Sequence, residues 1–203
     1  MSTVRLTKNS LRDQQKKLQQ LQKYLPTLQL KKGLLQMEVN ATKALIIERQ
    51  KELETQTQEL LEFAAFFAFD VHADLGKFLH VAHVGKSYEN IAGVEIPIFG
   101  HVEFAQEDFF LFDTPIWFDS ALFLAKAAIT IREKLAILEE KKRSLEKELR
   151  EVSIRVNLFE KVLIPRCKQL VKKIRVFLGD QELSAVSQAK VAKKKIEEKR
   201  EAT

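Results

Sequence analysis

Four histidines, His72, His80, His83 and His101, are the one grouping in this sequence that resembles a set of metal ligands. Imidazole nitrogens hold zinc or a similar cation when three or four ligands converge, and such sites show short, regular ligand spacings. Here the spacing is irregular, and the single cysteine, Cys167, lies far away in sequence. Ordinary polar residues of a small β element are the simpler reading, so no metal ligand is assigned. Cys167 falls on an apolar stripe, which makes it a buried structural thiol rather than a nucleophile. The run Lys193-Lys194-Lys195 has no glycine beside it and Gly179 stands alone, so no loop is present that could cradle phosphates. Glu139-Glu140 reads as a solvated helix face. These observations assign no catalytic residue, no cofactor and no metal, and the expectation is a protein that is not itself an enzyme.

What, then, must these residues be mounted on? The 203 residues contain only 6 Gly and 4 Pro, about 5% against the roughly 12% of average usage. Charged residues reach 31% and hydrophobic ones 45%. Long helices give this profile, because Gly and Pro interrupt helices while Lys and Glu populate their solvated faces. A disordered chain would be less hydrophobic. A membrane-spanning helix needs about 18 uncharged apolar residues. The nearest runs, Leu60 to Phe69 and Phe109 to Leu124, are interrupted by Glu62 and by Asp113 and Asp119. Met1 to Ser10 lacks the apolar core of a signal peptide, and one cysteine fits a reducing compartment. A cytoplasmic chain without direct membrane insertion is expected.

The heptad count sets the architecture. Steps of seven from Leu11 give Leu18, Leu25, Lys32, Val39, Ile46, Leu53, Leu60 and Phe67, while Gln14, Leu21, Leu28, Leu35, Thr42, Arg49, Gln56 and Phe63 form the companion row. In the second half Ala128, Leu135, Lys142, Leu149, Val156, Leu163, Leu170 and Phe177 form one row. Ile131, Leu138, Leu145, Val152 and Phe159 form the other, which fails at Arg166 and Lys173. Two such rows are the seam of a coiled coil. The polar residues Thr42, Arg49 and Gln56 limit its stability in mid-course. From Leu163 onward the apolar stripe drifts to Cys167, Val171, Ile174 and Leu178, a stutter that changes the supercoil locally. Thr114 as N-cap and Pro115 at the first helical position open the second helix, and Gly179-Asp180 marks an end or interruption.

Two matched seams with a connection between them most simply make an antiparallel hairpin of helices, and periodicity alone leaves open the alternative of a dimer with helices paired between chains. The expected fold is therefore mainly α: a long antiparallel two-helix coiled coil with a small β-containing head at the closed end. The expected division is an N-terminal shaft helix over 1–69, a globular or β-hairpin head over 70–113 and a C-terminal shaft helix over 114–178. A basic extension over 179–203 follows, disordered after Lys190. The head holds Gly76, Gly85, Gly93 and Gly100, and 12 of the 14 phenylalanines fall between Phe63 and Phe123. Phe78 to Val84 and Val94 to Phe104 have strand character, with Pro97 suited to an edge strand or bulge. That aromatic density exceeds what so small a head buries alone, and an exposed remainder is a docking surface.

Charge is polarised along the chain. Residues 1–32 carry eight basic side chains against Asp13, a net +7, and residues 166–203 carry eleven basic against five acidic, a net +6. The middle is −7, which recovers the chain's +6. In an antiparallel hairpin both basic segments meet at the open end. If Leu11 faces Leu178, facing positions sum to 189, and Pro26 and Pro165 then fall at nearly one level. Each removes a helical hydrogen bond, so a shared irregularity is expected there. Beyond Tyr24, Phe159 and Phe177 the basic segments lack interleaved aromatics, which argues against base stacking on nucleic acid.

Several blocks also carry a resemblance. Tyr24-Leu-Pro-Thr-Leu-Gln-Leu-Lys-Lys through Gln36, Arg155-Val-Asn-Leu-Phe-Glu-Lys-Val-Leu-Ile-Pro165 and Lys173-Ile-Arg-Val-Phe-Leu-Gly-Asp-Gln181 do so, with Tyr88-Glu-Asn-Ile-Ala-Gly-Val-Glu-Ile-Pro97 and Asp113-Thr-Pro-Ile-Trp117. The sequence resembles the D subunit of the V-type/A-type rotary ATPases and ATP synthases in its bacterial form, from about residue 4 to 196. The resemblance implies a central-stalk rotor shaft with no catalytic residues, coupling proton or sodium transport to ATP synthesis or hydrolysis by transmitting torque. It implies terminal helices inserted in the hexamer of A and B subunits, a lower region bound to the F subunit of the stalk, and docking on the C/d subunit above the membrane ring. The chain would be cytoplasmic and peripheral to the membrane. On that reading the basic tip, Lys16, Lys17, Lys31, Lys32, Lys172, Lys173 and Arg175, faces the catalytic hexamer. Phe78, Ile96, Phe99, Phe104, Phe109, Phe110 and Trp117 serve docking of the other stalk subunits. The alternative from another class is a homodimeric coiled-coil scaffold or nucleic-acid-associated protein using its basic ends.

Overall fold

Residues Lys8–Glu62 form one helix, α1, because apolar side chains recur on a single face and the helix-forming residues around Gly33 outweigh its cost of about 1 kcal/mol. Thr7 caps its start: the Ser10 N–H donates to Thr7 Oγ1 at 3.3 Å, satisfying one of the donors a helix start leaves free, and the Leu11 N–H makes the first intrahelical bond to the Thr7 carbonyl at 3.0 Å. The computed structural model describes residues 5–62, 75–105 and 115–201. In chain order the remaining elements are a short helical turn α2 (Leu75–Phe78), strands β1 (Val81–Ile91) and β2 (Val94–Phe104), helix α3 (Phe118–Leu158), one π-helical turn (Phe159–Leu163) and helix α4 (Ile164–Glu201). The fold is mainly α with a small antiparallel sheet, as the composition and periodicity imply.

The heptad rows match the burial pattern closely. Every row position of α1 from Leu11 to Leu60 is buried or half-buried. Thr42, a polar seam residue, is fully buried and its Oγ1 donates to the Glu38 carbonyl at 2.8 Å, which meets its hydrogen-bonding need inside the helix. Arg49 pairs with Glu52, an ion-paired hydrogen bond that raises the guanidinium pKa. Gln56 Oε1 is buried with no hydrogen-bond partner among the described residues.

The chain divides into two compact units, residues 1–30 with 152–203 and residues 31–151. In the first, Leu21 packs with Ile164 and Cys167, flanked by Leu18, Leu25, Phe159 and Leu163, and Lys8 pairs with Glu182 at 3.7 Å. Increasing numbers on α1 meet decreasing numbers on α4, so the pairing is antiparallel. Facing positions sum to 190 for Lys8 and Glu182 and to 188 for Leu21 and Cys167, against the expected 189. Cys167 is buried, the structural thiol its place on the stripe implied.

In the second unit Ile46, Ile131 and Leu135 form the core, with Leu53 and Leu138 against it. Lys43 and Glu146, which sum to 189, pair at 2.9 Å. The hydrogen bond from Lys43 holds the Glu146 carboxyl below its ordinary range. Strands β1 and β2 pair antiparallel with Ile91 opposite Val94, and irregularities between Val81 and His83 and between Val84 and Lys86 twist the ladder. The two-residue turn has both Ala92 (φ 53°) and Gly93 (φ 82°) left-handed, the conformation that suits the twist of a tight hairpin. Asn90 Oδ1 accepts from the Gly93 N–H at 2.9 Å. Ala92 bears the strain, since a left-handed residue with a Cβ costs about 1–2 kcal/mol. Ala92→Asn is therefore expected to raise the hairpin's stability by about 1 kcal/mol, read as slower amide exchange in β1 and β2.

Four boundaries differ from the sequence reading, the first being the strand expected over Phe78 to Val84, which runs over Val81–Ile91 with Phe78 closing α2 instead. Helix α3 begins at Phe118, not Pro115: residues 115–117 form a turn in which the Phe118 N–H donates to the Pro115 carbonyl at 3.0 Å. Thr114, the expected cap, lies outside the described residues. Gly179-Asp180 neither ends nor interrupts α4, which continues to Glu201. One helical glycine costs only about 1 kcal/mol, and the Ala, Gln, Glu and Lys around it favour helix. The segment expected to be disordered after Lys190 is helical for the same reason, aided by the pairs Lys193–Glu197 and Lys194–Glu198.

Candidate interaction surfaces

The five cations Lys16, Lys17, Lys172, Lys173 and Arg175 are all exposed and all belong to the unit of residues 1–30 and 152–203. The register fixed by Lys8–Glu182 and Leu21–Cys167 puts Lys16 and Lys17 level with Lys172 and Lys173. One stretch of the two-helix seam therefore carries five positive side chains on its outer faces. The other two expected members differ. Lys32 occupies a seam position and is half-buried. Lys31 is half-buried and donates to Glu148 Oε1 at 2.7 Å. Its charge is matched within the chain, and both residues belong to the unit of residues 31–151.

The hairpin's aromatic and apolar residues turn mostly inward. Lys134 Nζ sits 5.2 Å from the Phe99 ring centroid and Lys126 Nζ 5.5 Å from that of Phe104, distances at which the ammonium is drawn to the ring face. Lys86 donates to Glu140 at 2.9 Å, which raises the lysine pKa. At the hairpin tip, a Cβ placed on Gly93 would stand 3.9 Å from Lys31 Nζ. From Lys126 to Glu148 α3 rises about 33 Å, and the eleven residues of β2 span about the same. The hairpin thus lies lengthwise against the helical part of its unit. Ile96 is completely buried and Pro97 is buried beside it.

Of the docking residues named from sequence, Ile96, Phe99 and Phe104 are therefore engaged in attaching the hairpin. Phe78 is half-buried, its ring edge-on to Phe118 at 5.6 Å, and half-buried Trp117 lies 6.3 Å from the same ring. Phe109 and Phe110 lie outside the described residues. The large apolar side chains that the hairpin does present to solvent are Tyr88 and Ile98, which the sequence reading missed. Strand alternation alone could not rank them, because the irregularities in β1 shift which residues share a face.

Among the described residues no three His, Cys, Asp or Glu side chains come together as a cation site. His101 Nε2 lies 3.0 Å from Glu103 Oε1, and its ring fills the space where a Cβ on Gly85 would go, 2.7 Å away. His72 lies outside the described residues. The groove lined by Lys43, Ile46, Gln50, Glu139, Arg143 and Glu146 is open to solvent along the helices. No described helix is long and apolar enough to cross a membrane.

In the unit of residues 1–30 and 152–203 the outer faces of the paired helices carry the five exposed cations, and in the unit of residues 31–151 the hairpin is attached to the helices. Among protein families, the family model of the ATP synthase D subunit matches residues 10–194. The D subunit of the V-type ATP synthase of Chlamydia caviae is 39% identical over 201 residues, covering 98% of this chain and 97% of that one. The proteins of the same description from Chlamydia trachomatis serovar L2 and Chlamydia pneumoniae are each 43% identical, covering 98% and 96% of this chain and 99% and 93% of theirs. The chain belongs to the family of ATP synthase D subunits. Its role is that of a non-catalytic stalk subunit of a rotary ATPase, and the reading as a homodimeric scaffold or nucleic-acid-associated protein falls away.

Proposed function

We propose that this chain is the rotor shaft of the central stalk, turning inside a hexamer of A and B subunits and passing torque between ion flow through the membrane and ATP synthesis or hydrolysis. The observation that carries the reading is the seam of α1, whose row positions from Leu11 to Leu60 are all covered. A shaft must resist twisting, and paired helices with interdigitated side chains do so better than helices joined only by loops. The belt of Lys16, Lys17, Lys172, Lys173 and Arg175 faces acidic loops of the surrounding hexamer. Such contacts are long-ranged and individually weak, about 0–1 kcal/mol each when exposed, so that no single rotary position is held too tightly. Lys31 and Lys32 contribute less, Lys31 because Glu148 already neutralises it.

The hairpin and its surroundings serve the static contacts, with the F subunit of the stalk and with the ring-docking C/d subunit. Tyr88 and Ile98 lead this surface, and Phe78, Phe109, Phe110 and Trp117 extend it. Ile96, Phe99 and Phe104 support it from beneath. The chain works on the cytoplasmic side, peripheral to the membrane. An affinity-tagged chain expressed in its own cells tests the proposal. Recovery of A, B and F subunits with ATPase activity supports it, and recovery of the chain as a free homodimer contradicts it.

A further inference from the structure

Helices α3 and α4 are joined by a single π-turn, closed by the Ile164 N–H donating to the Phe159 carbonyl five residues back. A π-turn inserts one residue into an otherwise regular helix, and the buried positions record the insertion. Leu145, Val152 and Val156 follow the heptad, but Ile164, Cys167 and Ile174 stand one place later than it requires. In uninterrupted phase the seam would receive Leu163, Arg166 and Lys173, and burying two unpaired cations is strongly unfavourable. The π-turn moves Arg166 and Lys173 out to solvent, where both are found.

Pro165 holds the irregularity in place. In a regular helix its ring would collide with the carbonyl four residues back, and it offers no N–H to the preceding turn. Pro26, inside α1, lines the same groove as Pro165, together with Leu25 and Ile164. Both helices therefore lack a hydrogen bond at one level. A flaw in one helix of a pair is ordinarily splinted by the intact ladder of the other; at this level neither ladder is intact.

We propose that Phe159–Pro165 with Pro26 opposite is a built-in joint, where the two-helix seam changes phase by one residue and opens in preference to the regular seam. The joint is a property of the chain alone, whichever partners it has. Amide exchange of the full-length protein is expected to be about 10-fold or more faster over residues 160–168 than over residues 145–156, since each missing bond lowers the local cost of opening. A pair of single-residue deletions then separates a joint from a mere weak spot. Deleting Glu160, combined with Pro165→Ala, returns Ile164, Cys167 and Ile174 to heptad phase; exchange there should fall to the level of the flanking helix, with Cys167 still shielded from thiol reagents. Deleting the exposed Arg150 shifts an intact seam out of phase and should lower the melting temperature markedly. Uniform exchange in the wild-type chain, or equal losses of melting temperature in the two deletions, would overturn the proposal.

Discussion

Replacing Lys16, Lys17, Lys172, Lys173 and Arg175 together with glutamine is expected to weaken attachment of the chain to the A and B subunits proposed as its partners by about 30–100-fold at low salt, at roughly 0.5 kcal/mol per exposed pair. It should also flatten the salt dependence of that attachment. The five side chains are exposed and level with one another, so their fields add over a distance comparable with the screening length, about 8 Å at physiological ionic strength. None covers the core, so the melting temperature should hardly change. Lys31→Gln is the informative contrast. Its ammonium is spent on Glu148 and stands near the hairpin tip, so this change should lower stability while leaving the salt dependence of assembly as it was. Equal salt dependence in the wild type and the fivefold variant would rule out the belt as the contact surface.

The second large effect concerns the hairpin. Ile96→Asp places a carboxylate where the side chain is fully buried and is expected to cost about 3–5 kcal/mol, the range for an uncompensated buried charge. The hairpin should come away from its unit while α1 and α4 keep their pairing around Leu21 and Cys167. Tyr88→Ser with Ile98→Ser acts differently, since both side chains are exposed: stability is retained and recovery of the stalk partners falls. Removal of residues 76–104 combines both losses. Unchanged recovery of the proposed F and C/d partners in all three variants would contradict a docking role for the hairpin.

The helices are legible in the sequence because their signal is periodic. Leu11 to Leu60 keep one phase, and the sum near 189 for facing positions reappears at Lys8–Glu182 and Lys43–Glu146, whereas Lys31–Glu148 sums to 179 and departs from it. Even the drift after Leu163 is visible, although only the Ile164–Phe159 bond shows it to be one inserted residue. The end of α4 is misread because Gly179 is locally a stop signal, and local signals give way to the helix-forming residues on either side. The lengthwise seating of the hairpin is hidden for another reason. It depends on contacts distant in sequence, Phe99 with Lys134 and Lys86 with Glu140. One clue is present: Ile137 lies off both heptad rows, yet is buried, so α3 needs a second packing partner. The basic belt is half legible. Composition locates the charge, but only geometry separates exposed Lys16 and Lys172 from Lys31, already engaged with Glu148.

The most direct test of the shaft is rotation. With the catalytic hexamer fixed to a surface and a bead attached through Tyr88→Cys on the hairpin, ATP should drive the bead in one direction, in steps that stop when nucleotide is withdrawn. A bead that stays fixed or fluctuates without direction, on complexes that hydrolyse ATP at the normal rate and contain this chain, would contradict the account.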